Sequence, residues 1–127
     1  MFNGQKVIDV HGHMTTPDRF RNYGMGLMSI RSPKTEPLKI SDEELDSELA
    51  AHITALDKRN IDFQLISPRP VAMLHHESPH IQDQWCTVTN DVIAQTMRLH
   101  PDRFGGIAQL PQTNESDTRN WIGRAHV

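Results

Sequence analysis

Cysteine is nearly missing from this sequence: Cys86 stands alone among 127 residues. One thiol cannot close an internal disulfide. That excludes a disulfide-stapled secreted scaffold and fits a reducing, cytoplasmic setting. Long apolar runs are missing as well. No stretch approaches the roughly 18 apolar residues of a membrane-spanning helix. The opening residues Met1 to Lys6 lack the apolar centre of a secretory leader. Aromatic residues are scarce, and no charge of one sign dominates, the formal net charge being −3. A basic or basic-and-aromatic surface for nucleic acid is therefore not expected. What remains is an ordinary globular composition, 36% hydrophobic and 23% charged, which points to neither disorder nor a membrane. The length allows one core but falls short of the about 200 to 400 residues of a complete (β/α)8 barrel.

The apolar pattern alternates strand and helix. Val7 to Val10 reads as a short β-branched strand that ends at His11-Gly12-His13. Residues 14–39, with Pro17, Pro33, Pro37, Gly24 and Gly26, read as a long irregular loop holding one helical turn near Asp18 to Tyr23. Ser41 to Glu44 fits a capping box, with Ile40 and Leu45 placed for a hydrophobic staple. Leu45, Leu49, Ile53 and Leu56 then mark one helical face, and Asn60 ends it. Ile61 to Ile66 is a second strand, followed by a loop over 67–78. Ser78-Pro79 opens a helix that runs to His100, with Trp85, Val88, Val92, Ile93 and Met97 inward and Pro101 as its stop. Phe104 to Leu110 is the third strand, and Asn114 begins a further helix. The fold class is α/β, about three βα units with a parallel sheet. The whole of 1–127 makes one partial domain. Reactive side chains gather after the strands, as in a barrel or a doubly wound sheet.

His11 and His13 are the first candidates. Side chains two apart on a strand point the same way, so both imidazoles can converge on one cation such as Zn²⁺. Asp9, on the same face of a regular strand, is a candidate acceptor behind them. Arg69 follows the second strand and offers the forked donors that clamp a carboxylate, with Ser67 as an added hydroxyl donor. His75 and His76 are candidates for substrate binding or proton transfer. Cys86 beside Trp85 reads as a small buried hydrophobe. His52, His80, His100 and His126 read as surface or capping residues, and the acidic cluster Glu43, Glu44, Asp46 and Glu48 as a helix first turn.

Val7-Ile8-Asp9-Val10-His11-Gly12-His13 resembles the first strand of the amidohydrolase superfamily, in the branch that includes aminocarboxymuconate semialdehyde and γ-resorcylate decarboxylases. Leu65 to Pro70, Met73 to His76, Trp85, Asn90, His100 to Phe104 and Ala108 to Gln112 are similar to the 4-oxalomesaconate hydratase family. The resemblance runs from about residue 7 to 122. It implies the N-terminal portion of a metal-dependent (β/α)8 barrel and a small carboxylate substrate from aromatic-compound breakdown. It also implies Zn²⁺ or another divalent transition metal on His11 and His13. The remaining ligands and the general acid-base group would lie beyond residue 127, so the site in this chain is incomplete. The Ser67-Pro68-Arg69 stretch favours a hydratase-type lyase, with a decarboxylase as one alternative and a non-enzymatic βαβ module or inactive fragment that oligomerises through its open sheet as another. Residues 123–127 break the family pattern, which reads as a truncation or a change of reading frame near Ile122.

Overall fold

A computed structural model describes residues 2–32, 34, 36–69 and 74–112. Its elements are β1 (Ile8–His13), α1 (Asp18–Ile30), α2 (Asp42–Lys58), β2 (Phe63–Ser67), α3 (Pro79–Leu99) and β3 (Phe104–Gly106). The three strands form a parallel sheet in the order β1-β2-β3.

Each element follows from local chemistry joined to burial. Ser41 caps α2 as expected, its hydroxyl accepting from the Glu44 amide at 3.1 Å. The other half of the capping box is replaced, because the Glu44 carboxylate accepts from Arg19 at 2.7 Å. Leu45, Leu49 and Leu56 are buried along one face, with Ile53 half-buried beside them. Helix α3 carries proline in its first turn, while Ser78 makes no side-chain cap. Trp85, Val88, Val92 and Ile93 are buried, but Met97 is 37% exposed and belongs to the helix flank. The third strand is three residues long instead of seven.

The stretch 14–39 is not the loop its prolines and glycines suggested. It holds the 13-residue helix α1. Phe20, Tyr23, Gly24 and Leu27 are buried at spacings of three and four, and this packing outweighs the poor helix propensity of two glycines. Gly24 is needed there: a Cβ on it would sit 2.8 Å from the Trp85 ring of α3. The segment after α1 is held to α3 by an amide pair. Lys34 N donates to Gln84 Oε1 at 2.8 Å, and Gln84 Nε2 donates to the Lys34 carbonyl at 2.7 Å.

The two faces of the sheet differ. Gln64 and Ile66 of β2 are buried on the side covered by α2 and α3. On the other side Phe63 and Leu65 are half-buried, and the neighbouring β1 side chains Ile8 and Val10 are 54% and 67% exposed. Among the described residues, then, helices cover one face and leave an apolar face open. The suggested helix at Asn114 and the segment 123–127 lie outside the described residues, and among the described residues no helix is long and apolar enough to cross a membrane.

Candidate active site at the C-terminal edge of the sheet

Strand β1 does not run straight. Asp9 pairs with Gln64, but Gly12 pairs with Ile66, so β1 spends three residues where β2 spends two. This bulge turns the alternation of side chains by one position. Asp9 therefore shares a face with Gly12 and Gln64 rather than with His13, which corrects the same-face expectation for a regular strand. His11 and His13 still meet. Their ring centroids are 5.0 Å apart at an interplanar angle of 80°.

The bulge is held from behind by a buried amide. Gln64 Nε2 donates to Asp9 Oδ2 at 2.6 Å, and Gln64 Oε1 lies 2.7 Å from His52 Nε2 on α2. A carbonyl oxygen only accepts, so His52 carries its proton on Nε2. The other Asp9 oxygen accepts from the His11 main-chain N–H at 3.0 Å. The Gln64 hydrogen bond, followed by the one from His11, holds the Asp9 carboxyl below the usual carboxylate range. Asp9 thus supports the main chain of His11 and touches neither imidazole as its acceptor. Gln64 and His52 were missed in the sequence. A glutamine within an apolar strand was the available signal, since a buried amide must find partners.

Ser67 plays a different part from the one expected. Its hydroxyl donates to the Gly12 carbonyl at 3.1 Å, and His13 Nδ1 lies 3.1 Å from the same oxygen. One hydroxyl has one proton. With that proton on Gly12, Ser67 accepts from His13 Nδ1–H and has none left for a substrate carboxylate. His13 then keeps a bare Nε2 lone pair, the tautomer a metal ligand needs. Two imidazoles bound tetrahedrally at about 2.0 to 2.1 Å would place their centroids about 5.2 Å apart. The observed separation fits such a pair. Among the described residues no cluster of three or more His, Cys, Asp or Glu side chains forms a fuller metal cage.

Arg69 lies two residues after β2 and lines a cavity of about 260 Å³ with Met14, Thr15, Phe20, Arg21 and Trp85. Met14 and Thr15, which follow His13 directly in the chain, are among its lining residues, though His13 itself is not. His75 and His76 are not among the residues lining this cavity. Both are exposed, and His76 Nε2 lies 3.5 Å from Glu77. The structure joins Arg69 to the strand ends but leaves the histidine pair outside. Amide side chains on α3 tie down the neighbouring loops. Gln82 donates to the Glu77 carbonyl at 2.8 Å and accepts from Gln112 N at 3.0 Å, and Asn90 makes two hydrogen bonds with the Gln109 main chain. Cys86 is fully buried and its thiol is pushed up to about 12 by burial, so it is no nucleophile.

The chain is similar to hydratases. It is 31% identical over 126 residues to 2-keto-4-carboxy-3-hexenedioate hydratase of a Sphingobium species, a match covering 91% of this chain and 36% of that protein. The crystal structure of 4-oxalomesaconate hydratase from Rhodopseudomonas palustris matches with a TM-score of 0.69 and 28% identity, over 94% of this chain and 36% of that one. No family model matches. The chain thus spans about a third of the length of these two relatives, and the α/β arrangement of three parallel strands corresponds to part of a hydratase structure.

The support from Gln64 can be measured. Gln64→Leu is expected to destabilise the fold by about 1 to 3 kcal/mol, because it strips the Asp9 carboxylate and His52 of a buried partner. Urea denaturation at pH 7 reads the effect. A variant as stable as the parent would mean that water replaces the amide and that the bulge needs no support.

Proposed function

We propose that this chain is the N-terminal portion of a metal-dependent hydro-lyase of the amidohydrolase superfamily. The intact enzyme would be a (β/α)8 barrel that adds water to an unsaturated di- or tricarboxylic acid resembling 4-oxalomesaconate. The observation that carries the reading is the His11/His13 ring pair at the C-terminal edge of a parallel sheet, with Arg69 lining a cavity that Met14 and Thr15 also line. Strand C-termini are where such barrels place their chemistry. The open apolar face of β1 and β2 is what further strands of a barrel would cover. Both relatives are named as hydratases, which favours hydration over decarboxylation.

His11 and His13 would hold the metal, through Nε2 in the case of His13, with Ser67 fixing its ring. A Zn²⁺ ion bound there supplies Lewis acidity and lowers the pKa of a bound water. Arg69 orients a substrate carboxylate. The proton transfer falls to groups from the rest of the enzyme. Two histidines leave such a centre short of the three protein ligands usual in catalytic zinc sites.

Zinc titration of the 127-residue chain tests this. Weak, stoichiometric binding is expected, and both His11→Ala and His13→Ala should weaken it by about tenfold or more. Ser67→Ala should weaken it less, through the freed ring of His13. Unchanged binding in both histidine variants would remove the metal reading. The chain alone is expected to show no hydration of 4-oxalomesaconate. Turnover that disappears in His11→Ala would show instead that copies of the chain complete each other's sites.

A further inference from the structure

We propose that the cavity behind Arg69 is a two-ended anion site in which Arg21 of α1 binds a second carboxylate. The proposal rests on the substrate-binding role of Arg69 given above, and extends it to a residue that no sequence motif marks.

Two arginines line this one cavity, Arg69 two residues after β2 and Arg21 on α1. Among the described residues no acidic side chain lines it. Three other arginines have acidic partners, whereas Arg31 and Arg59, which lie away from this cavity, have none among the described residues. Arg19 meets Glu44 at 2.7 Å, Arg98 meets Asp42 at 2.6 Å, and Arg103 meets Asp57 at 2.8 Å. Among the described residues neither Arg21 nor Arg69 has such a partner. Two unpaired cations on one small cavity repel each other, and an anion bound between them relieves that repulsion. Apart from Thr15 and Gly24, the other lining residues are apolar: Met14, Phe20, Met25, Met28 and Trp85. Two cationic residues on an otherwise largely apolar cavity match a dicarboxylate with a short carbon body. About 260 Å³ suits a molecule of that size and is tight for a nucleotide. The methionines give the walls adaptable shape, while the floor is stiff because Trp85 stacks on Phe20 at 4.8 Å and 14°. Helix α1 thus acts as more than a cover for the core. It carries the second half of a carboxylate clamp.

Binding of mesaconate, an unsaturated dicarboxylate, is compared with that of crotonate, its monocarboxylate counterpart. Calorimetry is done on the full chain in EDTA, so that the metal plays no part. The parent chain should bind mesaconate about tenfold more tightly than crotonate, the scale of one charge-assisted contact. Arg21→Gln should abolish that preference while leaving crotonate affinity unchanged, and Arg21→Lys should restore part of it. Arg69→Gln should weaken both ligands. Arg21 is exposed, so its variants are expected to fold, and circular dichroism checks that they do. Equal affinity for the two acids in the parent, no detectable mesaconate binding, or an Arg21→Gln variant that keeps the preference would each overturn the proposal. These outcomes leave the zinc titration untouched, so this inference and the hydro-lyase reading fail separately.

Discussion

Gly12→Ala is expected to cost about 3 kcal/mol and to separate the two histidines. A Cβ at this position would lie 2.5 Å from the Cδ and 2.7 Å from the Cγ of Gln64, and 2.8 Å from the Leu65 carbonyl oxygen. The glutamine cannot swing aside without releasing Asp9 and His52, and the carbonyl is main chain in the central strand. The methyl group must therefore push β1 away from β2 at the bulge, an overpacking cost typically of about 1 to 3 kcal/mol and occasionally more. The same displacement breaks the Ser67 bond to the Gly12 carbonyl, and with it the ring orientation of His13. Urea denaturation and zinc titration should both report the change. Loss of stability with zinc affinity intact would show that the histidine pair does not depend on the bulge. A denaturation midpoint equal to the parent's would show that the strands part at this point without cost.

Trp85→Ala is expected to have the largest effect on stability, about 3 to 5 kcal/mol, the usual range for emptying a buried tryptophan site. Trp85 is 2% exposed, stacks on Phe20 and fills the space over Gly24. It is thus the contact through which α1 docks on α3. Its removal should loosen α1 and merge the vacated space with the cavity lined by Arg21 and Arg69. Thermal unfolding followed by far-ultraviolet circular dichroism should show a lower midpoint and reduced helix content before the main transition. Trp85→Phe retains an aromatic ring and should lose less. If both variants lose the same small amount, α1 is held by other contacts, such as the Gln84 clamp on Lys34. A loss of mesaconate binding in Trp85→Ala would be expected on the same grounds, since the wall bearing Arg21 would no longer be fixed.

Much of the frame was legible in the sequence. The Ser41 cap, the leucine spacing of α2, the proline at the start of α3 and the β-branched runs are local signals, and local hydrogen bonding and side-chain periodicity are what they report. The resemblance to hydratases was also legible, and two hydratases match over most of the chain. Helix α1 was not. Gly24 and Gly26 lower helix propensity wherever they occur, and the reason for Gly24 is a tryptophan 61 positions later. The fate of Ser67 was hidden for a similar cause. A serine beside an arginine suggests a carboxylate clamp, but its proton is taken by a carbonyl of the neighbouring strand.

The sequence alone determined which reactive side-chain types are at hand and where β1, α2, β2 and α3 run, because both depend on side-chain type and near neighbours. Tertiary structure decided how those residues are used. The one-residue bulge between Asp9 and Gly12 depends on the register of β1 against β2. That register turned Asp9 toward Gln64 and left His13 to Ser67. The packing of α1 on Trp85 brought Arg21 to the cavity that Arg69 lines. Register and docking depend on contacts between positions about 50 or more residues apart, and no local pattern encodes them.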